Sequence, residues 1–168
     1  MNIDDKRIVL EIVGLGIIFH SPQYTHQIAE GEDYLASSYT TEAQVQSHIQ
    51  QGSIVGFGTG SPGTFILKFH SGYPDDHFLL KCDYKLRLGL HCSGGFVCFR
   101  DLYELMDWRA ECLPGHSIEL EDGFYHVTLC SNRPSSGTLG DDQEIHVYLQ
   151  KLDDFPNLAK QGIPTLCS

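Results

Sequence analysis

The sequence contains no apolar stretch long enough to cross a membrane. A spanning helix needs about 18 or more consecutive apolar residues, and polar side chains interrupt every apolar run of this 168-residue chain before that length. The N-terminus also lacks the pattern of a secretory signal, because residues 1–7 are mixed in charge and Glu11 interrupts the apolar run that follows. We therefore expect a cytoplasmic protein with no membrane partner.

Close pairs of metal ligands are missing as well. The nine histidines and six cysteines include no C-x-x-C or H-x-x-x-H pair, the spacings typical of zinc sites. The nearest grouping is His91, Cys92 and Cys98, which would need a fourth ligand such as Cys82. We expect no metal and no cofactor. Without an export signal, the cysteines are expected to be free thiols rather than disulfides.

One glycine-rich segment, residues 58–63, matches the dinucleotide-binding fingerprint by its letters alone. That fingerprint requires a helix to begin there and to present its N-terminal amides to a phosphate. Here Pro62 lies inside the segment, and the strand-like run Thr64-Phe65-Ile66-Leu67 follows it. We interpret the segment as a hairpin loop between two strands.

Basic residues are scarce relative to acidic ones. The chain carries 22 Asp and Glu against 11 Lys and Arg, a formal net charge of -11. The excess is concentrated in residues 101–168, which hold 12 acidic and 4 basic side chains. Such a charge repels nucleic acid and anionic membrane, and it favours a basic protein partner. The same charge would also serve solubility alone, so it does not decide the function.

Short apolar runs separated by 17 Gly and 7 Pro predict a mainly β fold. We expect residues 1–168 to form a single-domain antiparallel β-sandwich with one or two short helices. The best strands are residues 124–130 and 144–150, the second of which alternates cleanly between apolar and polar side chains. Residues 7–19 are expected to form one long strand that bends near its glycines, and residues 77–90 to continue the β pattern.

Two segments have helical patterns. Residues 41–51 begin with Thr41 and Gln44 spaced as a capping box, and Gly52 follows as a natural stop. Residues 101–108 place three apolar side chains at i, i+3 and i+4, which predicts a second, short helix.

Two enzyme interpretations remain as alternatives. Cys92 lies beside His91, but neighbours on a strand point to opposite faces, so a nucleophile–base pair would need another histidine. The carboxylates of residues 101–111 could serve glycoside hydrolysis if two of them faced each other across a cleft. A third alternative is a ligand-binding β module in which histidines line a pocket.

The candidate partner-binding residues are mostly acidic and lie in the C-terminal part. Four carboxylates between residues 101 and 111 are spaced to share one face of a helix, and two more flank the last strand. Aromatic side chains among acids suit an interface with an apolar centre and a charged rim. The full set is Asp101, Tyr103, Glu104, Asp107, Trp108, Glu111, Asp141 and Asp142.

Several segments resemble known families. Residues 39–43, 52–58, 64–67 and 123–129 are similar to the bacterial competence-nuclease inhibitor family, small acidic β-rich proteins that bind and silence a nuclease. The block Gly94-Gly95-Phe96-Val97-Cys98-Phe99-Arg100-Asp101 and the ending Gly162-Ile163-Pro164-Thr165-Leu166 also resemble immunity proteins found beside polymorphic or type VI secreted toxins. Residues 88–108 extend beyond the inhibitor pattern.

The resemblance implies a cytosolic immunity protein rather than an enzyme. Such a protein binds a toxin that the same cell makes, most often a nuclease, and inhibits it stoichiometrically. The physical expectation agrees, because an acidic protein is steered towards the basic substrate groove of a nuclease. DNase–immunity protein pairs are among the tightest protein complexes known.

Overall fold

The structure, a computed structural model, describes residues 2–159 and 162–168, whose nine strands form two sheets. The five-stranded sheet contains, in spatial order, β1 (Arg7–Ile12), β4 (Gly63–Ser71), β9 (Gln143–Leu152), β8 (Gly123–Ser131) and β5 (Tyr84–Cys92). The four-stranded sheet contains β3 (Ile54–Gly58), β2 (Gly16–His20), β6 (Phe96–Asp101) and β7 (Ser117–Glu119). This confirms the mainly β prediction.

The core lies between the two sheets and is rich in aromatic and branched side chains. Phe69 of β4 meets Phe99 of β6 edge to face, with their ring centroids 5.1 Å apart. Phe19 of β2 stacks on the same ring at 5.5 Å. All three are at most 2% exposed, and pairs of this kind stabilise a core beyond the apolar area that they bury. The Phe69–Phe99 contact therefore joins the two sheets directly.

Three α-helices and two 3₁₀ helices complete the described chain. The α-helices are α1 (Tyr34–Ser38), α2 (Glu42–Gln51) and α3 (Asp76–Lys81), and the 3₁₀ helices are Pro22–Thr25 and Leu102–Met106. The prediction for α2 is confirmed at both ends. The backbone N–H of Gln44 donates to the Thr41 hydroxyl at 3.1 Å, and Gly52 ends the helix at φ 65°, a left-handed conformation that glycine adopts without steric cost.

Four expectations need correction. The run 7–19 is two strands, because the chain turns at residues 13–15 and crosses from one sheet to the other. Residues 59–62 likewise join different sheets, so they are a crossover and not a hairpin loop. The sheets are not wholly antiparallel, since β4 and β9 pair in parallel. Residues 77–81, expected in a strand, belong to α3, whose first turn Asp75 caps by accepting from the Phe78 N–H at 2.7 Å.

The strand register brings several connections to one end of the sandwich. Gly16 pairs with Gly58, and Ile17 pairs with Asp101, so β2 starts where β3 and β6 end. In the other sheet Ile12 pairs with Gly63, where β1 ends and β4 starts. This end therefore carries the β1–β2 turn and the 3₁₀ helix Leu102–Met106. Among the described residues, no helix has the length and apolar character needed to traverse a bilayer.

Candidate partner-binding surface

The turn from β6 into the 3₁₀ helix is built by Asp101. Its carboxylate accepts from the backbone N–H groups of Val13 at 2.8 Å and Gly14 at 3.3 Å, and from that of Tyr103 at 3.0 Å. It thus caps the 3₁₀ helix and fastens the β1–β2 turn beside it. Glu104 completes a capping box by accepting from the Asp101 N–H at 3.2 Å. With its acceptors used inside the fold, Asp101 is 8% exposed.

A buried arginine holds the chain that follows the 3₁₀ helix. The Arg100 guanidinium donates to the carbonyl oxygens of Arg109 at 2.8 Å and Ala110 at 3.0 Å, and it pairs with Glu104 at 3.2 Å. It also packs against the Trp108 ring, whose centroid lies 4.4 Å from the guanidinium carbon. Arg100 is 2% exposed, and these partners compensate its burial. The segment 108–110 is consequently fixed against the four-stranded sheet.

An acidic patch forms where that segment meets residues 30–33. The two stretches pair through their backbones, with Gly31 N–H donating to Trp108 C=O at 2.7 Å and Trp108 N–H donating to Glu32 C=O at 3.0 Å. The Ala110 N–H also donates to the Glu30 carboxylate at 2.6 Å. We define the acidic patch as Glu30, Glu32, Asp33, Asp107 and Glu111.

Only one basic side chain is seen within the acidic patch in the described part of the chain. Arg109 lies 3.2 Å from Asp107 and 3.9 Å from Glu30, and its side chain is 64% exposed. One guanidinium against five carboxylates leaves the patch strongly negative. Because exposed pairs of this kind contribute only about 0–1 kcal/mol, a partner can replace Arg109 at little cost.

An apolar groove of about 490 Å³ adjoins the acidic patch. Its walls come from α1, α2, β3, the β1–β2 turn, the 3₁₀ helix and the C-terminal segment, and Asp33 belongs to both groove and patch. Three of its apolar side chains are strongly exposed: Leu15 at 53%, Met106 at 42% and Ile163 at 52%. Exposed apolar clusters bordered by charge are typical of protein-interaction sites.

The structure separates the predicted contact residues into exposed and supporting ones. Asp107, Glu111 and Tyr103 are exposed, and Asp107 directly follows Met106, which lines the groove. Asp141 and Asp142 are also exposed, but they precede β9 in the other sheet and lie outside the acidic patch. Glu104 is half-buried against Arg100, as its side chain is 35% exposed.

Trp108 requires a correction of its expected role. Its side chain is 0% exposed and lies between Arg100 and His20, whose ring centroid is 5.4 Å from the indole. It therefore supports the acidic patch from below and offers no surface to a partner. Asp101 has the same kind of role, since its oxygens bind the β1–β2 turn.

The sequence prediction missed the acids at positions 30, 32 and 33. They fall in a polar stretch without periodicity, and the contacts that bring this stretch to the patch are with residues more than 70 positions away, such as that of Glu30 with Ala110. The one local signal was the run Glu30-Gly31-Glu32-Asp33, in which Asp33 caps α1 by accepting from the Ala36 N–H at 3.0 Å.

Cys92 and His91 do not form a nucleophile–base pair. His91 bonds to the Tyr24 hydroxyl and packs on the Phe124 ring at 4.5 Å. The Cys92 sulfur instead points towards the Leu120 carbonyl oxygen at 3.6 Å, and burial raises the pKa of its thiol. A buried thiol with a raised pKa is a poor nucleophile. This geometry gives no support to the cysteine-hydrolase alternative.

The described histidines are also not arranged as a pocket. His70 and His146 contact each other directly, Nε2 to Nδ1 at 2.9 Å, on the outer face of the five-stranded sheet. None of the described residues that line the apolar groove is a histidine. In residues 2–159 and 162–168 no three His, Cys, Asp or Glu side chains are placed to share a metal ion.

Two solved structures share this fold. One is ComJ from Bacillus subtilis, inhibitor of the DNA-degrading activity of NucA, with 11% identity, a TM-score of 0.51, and coverage of 90% of this chain and 99% of ComJ. The other is the protein named crocagin biosynthetic gene J, with 14% identity, a TM-score of 0.55, and coverage of 85% and 95%. No protein-family model and no curated protein sequence matches the chain. At these identities the likeness establishes the fold.

Proposed function

We propose that this protein is an inhibitor that neutralises a nuclease, most specifically a toxin nuclease of the same cell, by stoichiometric binding in the cytoplasm. The observation that carries the proposal is the apolar groove bordered by the acidic patch at one end of the sandwich. The fold shared with ComJ, which inhibits the nuclease NucA, supports it.

Charge would mainly set the rate of binding, and burial of apolar side chains would mainly set its affinity. A nuclease presents a basic surface to DNA, so carboxylates at the rim accelerate encounter and select for such a partner. Rim charges add little to the final affinity, which comes mainly from desolvated apolar or aromatic anchors near the centre. In this chain we expect Met106 and Leu15, which are exposed and line the groove, to act in this way, together with the exposed Tyr103 of the same 3₁₀ helix as Met106.

The experiment that tests the proposal measures nuclease inhibition. The protein is used as bait in lysate of its own organism, with washes at low and then high salt, and the retained partner is assayed on linear DNA. We expect a basic nuclease that survives the high-salt wash and is fully inhibited at one equivalent of added protein. A retained partner that does not degrade DNA, or a nuclease that stays active with excess inhibitor, would contradict the proposal.

Reversing charge in the acidic patch is expected to slow association. The double substitution Asp107→Lys with Glu111→Lys changes two exposed side chains that make no contact with the Arg100 guanidinium among the described residues. We expect the association rate with the nuclease to fall by about 10- to 100-fold at low salt, with less effect at high salt. Stopped-flow or surface-binding kinetics at two ionic strengths measure this.

A matched control distinguishes the effect of the acidic patch on association from the effect of the protein's total net charge. Asp153→Lys with Asp154→Lys makes the same charge change at exposed positions just after β9. If this control slows association as much as the patch variant does, total charge and not the acidic patch governs the encounter.

A charge placed in the apolar groove is expected to weaken the complex through faster dissociation. Met106→Asp introduces a carboxylate that would be desolvated on binding, and a central anchor of this kind is worth about 2 kcal/mol or more, roughly a 30-fold rise in Kd. The control is Leu80→Asp on α3, because Leu80 is 80% exposed and lies outside the groove. Equal Kd values for Met106→Asp and wild type would exclude the groove from the interface.

A further inference from the structure

Strand β1 leaves one edge of the five-stranded sheet open. It pairs with β4 on one side and with no other described strand. Phe69 N–H donates to Lys6 C=O at 3.2 Å, so the even-numbered residues of this stretch direct their N–H and C=O groups towards β4. The backbone groups of Arg7, Val9 and Glu11 therefore point away from the sheet.

Other strand edges of the sandwich are covered or short. The β5 edge meets Gly52, whose carbonyl oxygen accepts from the His91 N–H at 3.0 Å. The β3 edge is covered by the C-terminal segment, since Gly58 bonds to Pro164 and to Leu166, each at 2.8 Å. β7 has only 3 residues. An uncovered edge is a template for pairing with another strand, and within residues 2–159 and 162–168 no group bonds to the outward backbone atoms of β1.

The outward side chains of β1 carry opposite charges on either side of an apolar centre. The even-numbered side chains of the strand are buried in the core, whereas Arg7, Val9 and Glu11 are exposed on the outer face, Val9 at 48%. Neither Arg7 nor Glu11 has an ion-pair partner in the described part of the chain. On its own sheet Arg7 lies opposite Lys68, a like charge. An anionic neighbour on the open side would therefore be favourable.

This pattern is complementary to itself. If two copies of β1 run antiparallel with Val9 opposite Val9, Arg7 of each copy lies opposite Glu11 of the other. The outward residues of both strands then form hydrogen-bonded pairs, each exchanging both N–H···O bonds. Shifting the register by two residues places Glu11 opposite Asp5 in one direction and Arg7 opposite Val13 in the other. Neither shifted register brings opposite charges together, so the pattern selects the one centred on Val9.

We propose that the protein forms a two-fold symmetric dimer through β1, which joins two five-stranded sheets into one continuous sheet. Such a contact is isologous, with the same patch used by both copies. None of the described residues that line the apolar groove belongs to β1, so the groove stays open in the dimer. Because the paired strands run in opposite directions, the β1–β2 turns, and the grooves beside them, lie at opposite ends of the joined sheet.

The first test measures mass against concentration. A contact made by one strand pair is small, so sedimentation velocity is run from about 1 µM to about 500 µM. The buffer is at pH 7 with about 0.15 M salt, which screens the long-range repulsion between copies of net charge -11. We expect the mass to rise from 18.8 kDa towards twice that value. A mass of 18.8 kDa at every concentration would overturn the proposal.

Two charge variants test the register. Arg7→Glu and Glu11→Lys each place like charges opposite one another, so each alone is expected to raise the dimer Kd by about tenfold or more. Mixed in equal amounts they should pair with each other about as well as wild type, because every position again faces its opposite. Glu11→Lys also makes the net charge less negative, which would strengthen any association limited by general repulsion. Its control is Asp154→Lys, the same change of charge outside β1, which should keep the wild-type Kd.

Val9→Pro tests the backbone contact. The Val9 N–H does not bond to β4, so proline at this edge position removes no hydrogen bond of the monomer. We expect an unchanged circular dichroism spectrum and a dimer Kd raised by about tenfold or more. If the wild type dimerises but the mixed charge variants do not, β1 pairing in this register is wrong, whether or not Val9→Pro folds. Nuclease inhibition plays no part in these readouts, so failure here is distinct from failure of the proposed function.

Discussion

Replacing Arg100 by methionine is expected to destabilise the fold by about 3–5 kcal/mol, the usual cost of removing one member of a buried charged network. Methionine resembles the aliphatic part of the arginine side chain in length but donates no hydrogen bond. The carbonyl oxygens of Arg109 and Ala110 would each lose their contact to the guanidinium, and Trp108 would lose its cation–π partner. The acceptors that lose the guanidinium, including the Glu104 carboxylate, account for much of the penalty.

Urea unfolding measures the effect, and Arg109→Met provides the control. Both substitutions remove one positive charge, but the Arg109 side chain is 64% exposed and pairs with exposed carboxylates, so its loss should cost less than about 1 kcal/mol. Equal unfolding midpoints for Arg100→Met and Arg109→Met would show that Arg100 does not hold the segment.

Arg100 is also expected to control the local order of the segment that carries the acidic patch. We expect amide hydrogen exchange in Arg100→Met to speed up most at residues 108–111, where the guanidinium supports the backbone directly. Arg100→Lys should restore little of the lost protection from exchange, because an ammonium group cannot donate to two carbonyl oxygens in a fixed, forked geometry. If exchange accelerated as much in β8 and β9 as at residues 108–111, the substitution would have destabilised the whole fold and not this segment in particular.

Local signals in the sequence were enough for some elements. The α2 helix carries its own start and stop, so Thr41, Gln44 and Gly52 predict it within a residue at each end. Strand β9 alternates because one face is buried in the core and the other is not. Such elements are specified by neighbours a few positions apart, which is the range over which a sequence pattern can be interpreted.

Other features depend on contacts between distant segments. Nothing local distinguishes a bent strand over residues 7–19 from two strands in different sheets, because the glycines permit both. Arg100 looks like an ordinary charged residue near a strand end, yet it is 2% exposed and donates to the carbonyl oxygens of residues 109 and 110. Only part of the acidic patch could be predicted for the same reason, since residues 30–33 join it through contacts with residues 108–110, which are distant in the chain.

The tryptophan prediction failed on a point of physical ambiguity. An aromatic side chain among carboxylates is favoured both at an interface centre and in a core against a cation. In this fold Trp108 has the second arrangement, against the buried Arg100, whereas Met106 and Tyr103 are the exposed side chains of the adjoining 3₁₀ helix. The charge of Arg100, eight positions earlier in the chain, therefore favours the buried position of Trp108.

The buried contact between His20 and Arg100 predicts a strong dependence of stability on pH. His20 is 1% exposed, and its Nε2 accepts from the Arg100 Nε–H at 3.1 Å. Burial, followed by the nearby Arg100 charge, lowers the pKa of His20 from 6.5 to about 3. The imidazole is consequently neutral in the folded protein over the range in which an unfolded chain would protonate it.

Stability must then fall with acidification between about pH 6.5 and pH 3. In that range the unfolded state binds one more proton at His20 than the folded state, so the free energy of unfolding decreases by about 1.4 kcal/mol for each pH unit. By pH 4.5 the loss from His20 alone is about 2–3 kcal/mol. Above pH 6.5 both states hold a neutral imidazole, and this contribution no longer changes with pH.

Substituting His20 by glutamine isolates the contribution. A glutamine Oε1 can still accept from Arg100, but it does not titrate, so other histidines and all carboxylates contribute equally to both proteins. Urea unfolding at pH 7, 6, 5 and 4.5 should show wild type losing about 2–3 kcal/mol relative to the variant, whatever the offset at pH 7. Parallel profiles would mean that His20 takes up its proton inside the fold. Protonated His20 would then be a second buried cation in contact with Arg100, beneath the acidic patch.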